Sequence, residues 1–441
     1  MSTDSKQTRR SFLHPRSFVF MYLCFIVLWS LGNVFLVAKE FVNGQQFFFV
    51  KNGMIYISDF VLLYEAGQLA TSANHLSVYD PQVQLDWLNR FTHPAVFSQV
   101  FYIFQVPFMF PLLSTIGMLP IKLSYLLFTG SGLVAGIGTL VCLLRKFRKC
   151  SWRYTTAFVL AALATLPSYE TIQMGQLSWL LVALLSGFFF FTWINPRSIW
   201  AGLMLALFSM KPHYALFFFA PLVATRKWMV LVWAAIWELV LLVIAALMIG
   251  WPNVLGYPSI IMKAASANEW SERMVCCRAI FSLFLDQTMS SRTGFATMAI
   301  ALLFSAILSW RWLASLFGKG DGPDSEVLLQ RVSWIMAINI ILCLIASPHT
   351  YLHDWLLMTL SAALTIRICS LSELLAISPI SNRIWTASLV LYPCISALFF
   401  VLWEFVPALN RCSLLFIILH AWLLFWAIKC GMDNARGKAD R

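Results

Sequence analysis

The feature that most constrains this chain is a series of apolar runs, each long enough to cross a lipid bilayer. The run at 228–250 reads WMVLVWAAIWELVLLVIAALMIG and contains one charged residue, Glu238. About 20 apolar residues cross a bilayer core as one helix, whose backbone hydrogen bonds are satisfied internally. A transmembrane barrel would instead have strands of about ten residues with alternating polarity. The runs therefore predict an all-α polytopic membrane protein.

Composition excludes several other classes of protein. Of the 441 residues, 60% are hydrophobic and only 11% are charged, whereas soluble domains carry about 25% charged residues. A soluble enzyme and a disordered chain are both inconsistent with these values. The ten cysteines are scattered without metal-ligand spacing, so neither a zinc site nor a disulfide framework is predicted.

Twelve stretches are predicted to span the membrane within a single domain over residues 17–430. They are 17–39, 121–144, 154–169, 177–194, 198–210, 213–225, 228–250, 294–314, 332–347, 354–371, 384–402 and 412–430. Residues 1–16 and 431–441 are predicted to be cytoplasmic tails. The apolar stretch 95–117 contains Pro107 and Pro111, which disfavour a straight span, so it is predicted to lie along the outer interface or to re-enter.

The basic residues determine the predicted orientation. If 95–117 does not cross the membrane, 21 of the 31 basic residues fall on one side of it. The positive-inside rule makes that side cytoplasmic. Two long segments, 40–120 and 251–293, are then left on the outer side. The net charge of +12 thus reflects membrane orientation, and no nucleic acid partner is expected.

Asp59, in the sequence YISDF, is the first candidate for chemistry. It lies in a largely apolar stretch near the predicted outer surface, where a carboxylate partly removed from water is suited to act as a general base. The same residues also fit a helix that begins at Ser58 or Asp59 as its cap, so both interpretations stay open. Glu65, six positions later, is expected to be a surface charge.

Four residues are candidates for binding a phosphate group. Lys211 stands between two short apolar runs, and an ammonium at membrane depth costs at least about 2.5–3.5 kcal/mol unless it is paired or faces a cavity. Snorkelling to the interface is the alternative. Arg278 offers the two-pronged geometry that phosphate oxygens accept, although it could instead pair with a surface carboxylate. His349 and His353 are spaced to share one helical face and could donate hydrogen bonds; no third metal ligand is near them in sequence.

Tyr64, His93 and Gln176 are candidates for contacts with a sugar or an acceptor. Gln176 follows Gly175 in a predicted outer turn, where its amide is suited to bind a hydroxyl group. A purely structural turn would also explain Gly175-Gln176, and the proline after His93 would explain that segment as a helix boundary.

The order of these motifs resembles glycosyltransferase family 87, the polyprenyl-phosphate-mannose-dependent transferases of the GT-C fold. The resemblance runs from about residue 55 to 360, and its motifs are SDF, YEAG, VYDP, QVPFMFPLLSTIGMLP, MGQLSWLL, AGLMLALFSMKP, TRKW and SPHTYLHD. It implies a GT-C-like arrangement with helices lying along the membrane in the first outer loop. It also implies that Asp59, which matches the position of the carboxylate in that loop, deprotonates the acceptor hydroxyl.

The resemblance implies a reaction and a location. The expected donor is a sugar, mannose in this family, on a polyprenyl phosphate; the acceptor is a glycan or glycolipid hydroxyl; transfer inverts the sugar. No metal or other cofactor is expected, and membrane lipid is the surrounding partner. The expected location is the bacterial inner membrane with the active site on the periplasmic face. A transporter or flippase for lipid-linked saccharides, and a non-catalytic protein that binds them, remain alternatives.

Overall fold

The computed structural model describes residues 15–43, 47–51, 54–93, 96–98, 100–266, 274–316, 325–365, 380–405 and 412–436. Within these residues the fold is helical, as predicted, apart from one short hairpin that was not predicted. The hairpin pairs β1 (Phe48–Lys51) with β2 (Met54–Ile57) in antiparallel register, with Phe48 opposite Ile57. It leads directly into the helix that begins with Asp59.

The α-helices of the described residues are numbered here in chain order. They are α1 (Pro15–Asn43), α2 (Asp59–Thr71), α3 (Pro81–Phe91), α4 (Phe110–Gly117), α5 (Ile121–Cys142), α6 (Trp152–Leu163), α7 (Leu166–Met174), α8 (Ser178–Phe189), α9 (Ser198–Phe208), α10 (Pro212–Ala215), α11 (Phe219–Ala224), α12 (Trp228–Ile249), α13 (Trp251–Ser266), α14 (Cys277–Phe281), α15 (Gln287–Leu313), α16 (Ser325–Ala346), α17 (Met358–Thr365), α18 (Ile380–Phe405) and α19 (Cys412–Arg436). A 3₁₀ helix, Leu352–Leu357, precedes α17.

Several of these helices are long and apolar enough to cross a membrane. In the part of the chain that the structure describes there are five, or six if the bent pair α7–α8 counts as one span. The five lie in α1, α5, α12, α15 and α16, where spans are predicted. Most side chains of α12 are not buried within the protein, whereas 78% of the apolar window of α16 is buried. The chain is therefore a membrane protein with α16 in its interior and α12 facing its surroundings.

Other predicted spans are short or broken. The stretch 154–169 does not form one helix, because α6 ends at Leu163 and α7 begins at Leu166, next to Pro167. The stretch 213–225 is divided between α10 and α11 with a 3₁₀ turn between them. Helices also cover 384–402 and 412–430. Only part of 354–371 lies in the described residues.

The two predicted outer segments contain helices of their own. The first includes α2, α3 and α4, and the described residues of its stretch 95–117 contain a 3₁₀ turn followed by α4. A close approach of backbones joins α2 to α4: a Cβ at Gly67 would overlap the carbonyl of Leu113, and one at Gly117 would lie 2.6 Å from the nitrogen of Gln68. These glycines fix the helix that begins with Asp59 against its neighbour.

Helix α7 is the element that brings the distant parts of the chain together. It meets α8 at an angle of 115°, with Gly175 in the left-handed conformation (φ 62°) at the bend. The Gln173 amide on α7 donates to both carboxylate oxygens of Glu40 on α1, at 3.2 Å and 3.0 Å. The Thr171 hydroxyl donates to the His353 carbonyl at 3.4 Å. Helix α7 is thus attached both to the first membrane helix and to the 3₁₀ helix before α17.

Candidate functional site

The Asp59 carboxylate is bound by the residue that follows the bend after α7. Gln176 Nε2 donates a hydrogen bond to Asp59 Oδ2. Ser58 occupies the N-cap position of α2 but its hydroxyl makes no capping bond, and Asp59 is the first helical residue. The predicted helix start is therefore confirmed, with Ser58 as the N-cap residue and Asp59 in the first turn, and the Asp59 carboxylate has a separate role. Its side chain is instead committed to a contact with a residue 117 positions away.

Gly175 makes this contact possible. Its backbone has φ 62°, a conformation that costs a residue with a side chain roughly 1–2 kcal/mol. A Cβ at this position would lie 2.6 Å from the Cβ of Phe60, the residue after Asp59. The bend and the start of α2 can approach each other only because residue 175 has no side chain.

A buried carboxylate holds the Lys211 ammonium. Lys211 Nζ donates to Asp354 Oδ1, and the two side chains are 18% and 0% exposed. Asp354 Oδ2 accepts from the Tyr214 hydroxyl at 2.9 Å and from the Tyr351 backbone N–H at 3.2 Å. The buried Asp354 carboxylate thus has three donors around it and forms an ion pair with Lys211.

Arg278 forms a second buried pair, with His349. Its side chain is 0% exposed, and it packs 3.3 Å from the position that a Cβ of Gly294 would occupy. Arg278 Nη1 lies 3.2 Å from His349 Nε2 and donates to the Pro348 carbonyl at 3.4 Å. Burial lowers the pKa of His349 to about 3, and the charges of Arg278 and Lys211 contribute to the decrease. Because a guanidinium can only donate, the neutral imidazole accepts through Nε2 and carries its proton on Nδ1.

His353 interacts with the carboxylates of both Asp354 and Asp59. Its Nε2 is 3.6 Å from Asp354 Oδ1, and its side chain is buried. Burial lowers the pKa of His353; Asp354 acts in the opposite direction, Lys211 adds to the decrease, and Asp59 opposes it. Asp59 is thus close enough to His353 for their charges to interact. Through His353 the carboxylate of Asp59 belongs to the same cluster as Lys211.

The structure brings together six of the eight residues that the sequence singles out: Asp59, Gln176, Lys211, Arg278, His349 and His353. The other two lie elsewhere. Tyr64 is 4% exposed, and its hydroxyl donates to the Leu119 carbonyl at 2.8 Å while accepting from Gln68. His93 is exposed just after α3. Tyr64 is held in the packing between α2 and the segment after α4, away from the charged cluster.

Three residues of the site were not predicted from the sequence: Asp354, Tyr214 and Thr350. Asp354 pairs with Lys211, and the Tyr214 hydroxyl lies between Asp354 and the Thr350 hydroxyl, 3.0 Å away. The available signal was an aspartate at the edge of an apolar run, which in a membrane protein needs a partner.

The expectation that Glu65 is a surface charge is wrong: it is 1% exposed. Burial raises its pKa to about 9, so Glu65 is uncharged at neutral pH.

These features define a membrane protein whose apolar helices surround a cluster of paired ionisable groups, which is the arrangement expected of a site for a charged or polar ligand. The sequence profile of glycosyltransferase family 87 matches residues 106–348. That match covers more than half of the chain, so the protein belongs to glycosyltransferase family 87, and it is a membrane glycosyltransferase. The matched region includes Gln176, Lys211 and Arg278; Asp59 and Asp354 lie outside it. A comparison with curated proteins gives no match.

Proposed function

We propose that the protein transfers a sugar, mannose by the family resemblance, from a polyprenyl-phosphate donor to a hydroxyl group of a glycan or glycolipid, with inversion at the sugar. The observation that carries this proposal is the single cluster that contains both a carboxylate, Asp59, and two cations, Lys211 and Arg278. Sugar transfer from a lipid phosphate needs both kinds of group, on opposite sides of the reacting carbon.

The two cations would stabilise the charge of the donor phosphate. When the bond from the sugar carbon to the phosphate oxygen breaks, the lipid phosphate gains negative charge. Cations fixed beside that oxygen stabilise the transition state more than the ground state. Lys211, whose side chain is 18% exposed, would contact the phosphate as a point charge, and the fully buried Arg278 would add its positive charge from behind His349. The neutral His349, which is held by Arg278 and carries its proton on Nδ1, would donate one further hydrogen bond, as would His353.

Asp59 would act as the general base. The acceptor oxygen attacks the sugar carbon while its proton moves to the carboxylate, and the lipid phosphate leaves from the opposite face. The contact with Gln176 leaves Asp59 Oδ1 without a described partner, and the side chain is only half-buried. An incoming hydroxyl would donate to that oxygen. Gln176 would orient the carboxylate and contact the acceptor, and the stereochemical result is inversion because one displacement occurs.

The distribution of charge supports an orientation with the site on the periplasmic side. Helix α5 begins just after α4 and ends near the basic run that contains Arg145 and Arg148. Arg148 Nε donates to the Ala363 carbonyl at 3.2 Å, near the end of α17. The cluster around Asp354 precedes the start of α17. The site and the basic run therefore lie at opposite ends of these helices, and the positive-inside rule assigns the basic end to the cytoplasm. The GT-C-like arrangement with twelve spans is part of this proposal.

The test is release of lipid phosphate by the purified protein in nanodiscs. A panel of polyprenyl-phosphate sugars and acceptors would be compared for the wild type, Asp59→Asn and the control Asp86→Asn. Asp86 is a carboxylate of the same predicted outer segment that binds Gln82 on the exposed face of α3. We expect Asp59→Asn to lose transfer by a factor of about 10²–10⁴ with donor binding retained, while Asp86→Asn keeps it. Equal turnover in Asp59→Asn and the wild type would exclude Asp59 as the base.

The same measurement separates transfer from transport. A transporter or flippase moves its substrate without breaking the bond to phosphate. Release of lipid phosphate in a preparation with one compartment therefore indicates a transferase. Binding of the donor with no release from any member of the panel would instead support the non-catalytic alternative.

A further inference from the structure

Three loops of the chain share one sequence pattern, in which basic residues precede a tryptophan in the first turn of a helix. The tryptophans are Trp152 in α6, Trp200 in α9 and Trp228 in α12. They are 61%, 45% and 53% exposed, respectively. Exposed tryptophans next to cations are typical of the membrane–water interface, so the pattern indicates that these three loops lie at the level of the lipid headgroups.

The helices joined by these loops pack side by side. Helix α5 contacts α8, α8 contacts α9, and α9 contacts α12. The ring centroids of Phe147 and Phe189 are 5.6 Å apart where α5 and α8 end. A Cβ at Gly202 in α9 would lie 2.5 Å from the Cβ of Trp233 in α12, and both residues lie within about two turns of the start of their helix. The three loops therefore lie along one row of helix ends.

The loops carry positive charge that few acidic residues offset. From residue 145 to residue 230 the chain has nine basic residues and one acidic residue, Glu170, which lies in α7. Arg145 and Arg148 are bound within the protein, through the Cys150 and Ala363 carbonyls. The other cations of the loops form what is called here the basic face: Lys146, Lys149, Arg153, Arg197, Arg226 and Lys227. Its two exposed lysines, Lys146 and Lys149, form no ion pair in the part of the chain that the structure describes.

Two members of the basic face occupy backbone positions at which glycine is usual. Lys149 and Arg226 have φ values of 54° and 56°, and they are the non-glycine residues with positive φ in the described part of the chain. Arg226 follows α11 in a motif closed by the Lys227 N–H, which donates to the Leu222 carbonyl at 2.8 Å; glycine is the common residue at this position. A left-handed backbone is unfavourable for a residue with a side chain, whereas glycine adopts it freely. A cation is therefore retained at both positions despite local strain.

The positive-inside rule does not explain these two positions. That rule depends on the number of basic residues in a short loop, so it would be satisfied equally by glycine at residue 149 and a cation at a neighbouring residue. A cation held at a strained position indicates instead that its exact place matters, as it does where a group has to meet a ligand.

We propose that the basic face is a binding site for the phosphate groups of anionic phospholipids, with Lys149 and Arg226 at fixed points of that site. The exposed tryptophans put the site at headgroup depth, which favours a lipid over an acidic protein. Ammonium and guanidinium groups bind phosphate oxygens through charge-assisted hydrogen bonds, and each cation near an anionic membrane surface raises the affinity about fivefold. No step of sugar transfer enters this inference, so it goes beyond the proposed function and does not depend on it.

The test is a titration of the purified full-length protein in detergent with fluorescent phosphatidylglycerol and, separately, with fluorescent phosphatidylcholine. We expect tighter binding of phosphatidylglycerol, and a preference that decreases as salt screens the charges. The double variant Lys149→Gly, Arg226→Gly should bind phosphatidylglycerol about 25-fold more weakly, from about fivefold for each cation, and phosphatidylcholine as the wild type does. The control Arg90→Gln removes an exposed cation of α3 and should keep the wild-type affinity. Equal affinity of the wild type for the two lipids, or an undiminished preference in the double variant, would overturn the proposal.

Stability separates ligand binding from a purely structural role of the two cations. Because glycine relieves the left-handed strain, the Tm of the double variant in lipid-free detergent should equal or exceed that of the wild type while its affinity for phosphatidylglycerol falls. A lower Tm with unchanged affinity would show that the cations only stabilise the helix ends, and would refute the lipid site.

A relocated charge separates the lipid site from a signal that only orients the chain. Lys149→Gly, Ser151→Lys keeps the charge of the loop and moves one cation to an exposed residue whose side chain makes no capping bond. This variant should bind phosphatidylglycerol about fivefold more weakly than the wild type. Wild-type affinity would mean that the number of charges, and not their place, decides binding, and the assigned site would be wrong.

Discussion

The two sides of the candidate site differ in how their charged groups are held. On the phosphate side, which comprises Lys211, Arg278, His349 and Asp354, each cation already has a partner, and Arg278 and Asp354 are fully buried. On the base side, which comprises Asp59 and Gln176, a half-buried carboxylate is held by a neutral amide. The phosphate side is therefore part of the packed fold, whereas the base side adds a reactive group at its edge. Substitutions on the two sides should differ in their effects on stability.

The largest expected loss of stability comes from breaking the buried ion pair. Lys211→Met leaves Asp354 without its counter-ion and should lower the free energy of unfolding by about 3–5 kcal/mol, measured by chemical denaturation in detergent. The double variant Lys211→Met, Asp354→Asn should recover most of that stability without recovering transfer. Asp59→Asn should change stability by less than about 0.5 kcal/mol. Equal destabilisation by Lys211→Met and Asp59→Asn would contradict the difference between the two sides.

A smaller loss is expected when the bend that supports the base side is altered. Gly175→Ala requires a left-handed backbone for a residue with a Cβ and brings that Cβ to within 2.6 Å of Phe60 Cβ. We expect it to cost about 1–3 kcal/mol and to reduce kcat, because Gln176 then loses its alignment with Asp59. Gly138→Ala in α5 is the matched control, since no neighbouring atom lies within 4 Å of its Cβ position. A Gly175→Ala protein as active as this control would show that the bend does not position Gln176.

Glu65 lies on the same helix as Asp59 but is buried, so its carboxyl group should make the stability of the protein depend on pH. Its pKa is raised by burial from 4.5 to about 9, so the folded state keeps a proton that the unfolded state releases. The stability that comes from keeping this proton on Glu65 is fully present below pH 4.5. It is lost as the pH rises towards 9, by up to about 1.4 kcal/mol of unfolding free energy per pH unit. Glu65→Gln should remove that dependence and raise the Tm at pH 8 relative to the wild type. Parallel Tm curves from pH 5 to 9 would contradict a protonated Glu65.

The smallest effect is expected at Tyr64, which the sequence suggested as a sugar contact. Tyr64→Phe removes the hydrogen bond to the Leu119 carbonyl and should cost about 1 kcal/mol of stability. KM for donor and acceptor should stay at the wild-type values, because Tyr64 is buried between helices. An increase in KM without loss of stability would instead indicate that Tyr64 contacts the substrate.

Hydropathy predicted the parts of this fold that depend on local composition. Long apolar helices such as α5, α12 and α15 follow from runs that lipid can surround on most sides. The break between α6 and α7 was not predicted, because the apolar pattern continues through it while Pro167 and the packing of α7 decide where each helix begins. The sequence of the hairpin before α2 contains no pattern that distinguishes its two strands from an apolar loop.

The site residues were predicted from the chemistry that each residue type can do, together with the family resemblance. Lys211 and Arg278 stand out because charge is costly at membrane depth. The partners of these residues could not be predicted in the same way: Lys211 and Asp354 are 143 positions apart, and no local pattern records their contact. The burial of Glu65 was missed for a related reason, since its surroundings depend on how α2 packs against other helices.

Helix α7 links the first membrane helix to the chemistry. Gln173 on α7 binds Glu40 at the end of α1, and Gln176, which lies just past the bend at Gly175, binds Asp59. A displacement of α7 would shift the bend that positions Gln176. Mechanical strain on α1, from a fused partner or from a bilayer of different thickness, would therefore reach the acceptor side of the reaction, and turnover should depend on how the protein is anchored in its membrane.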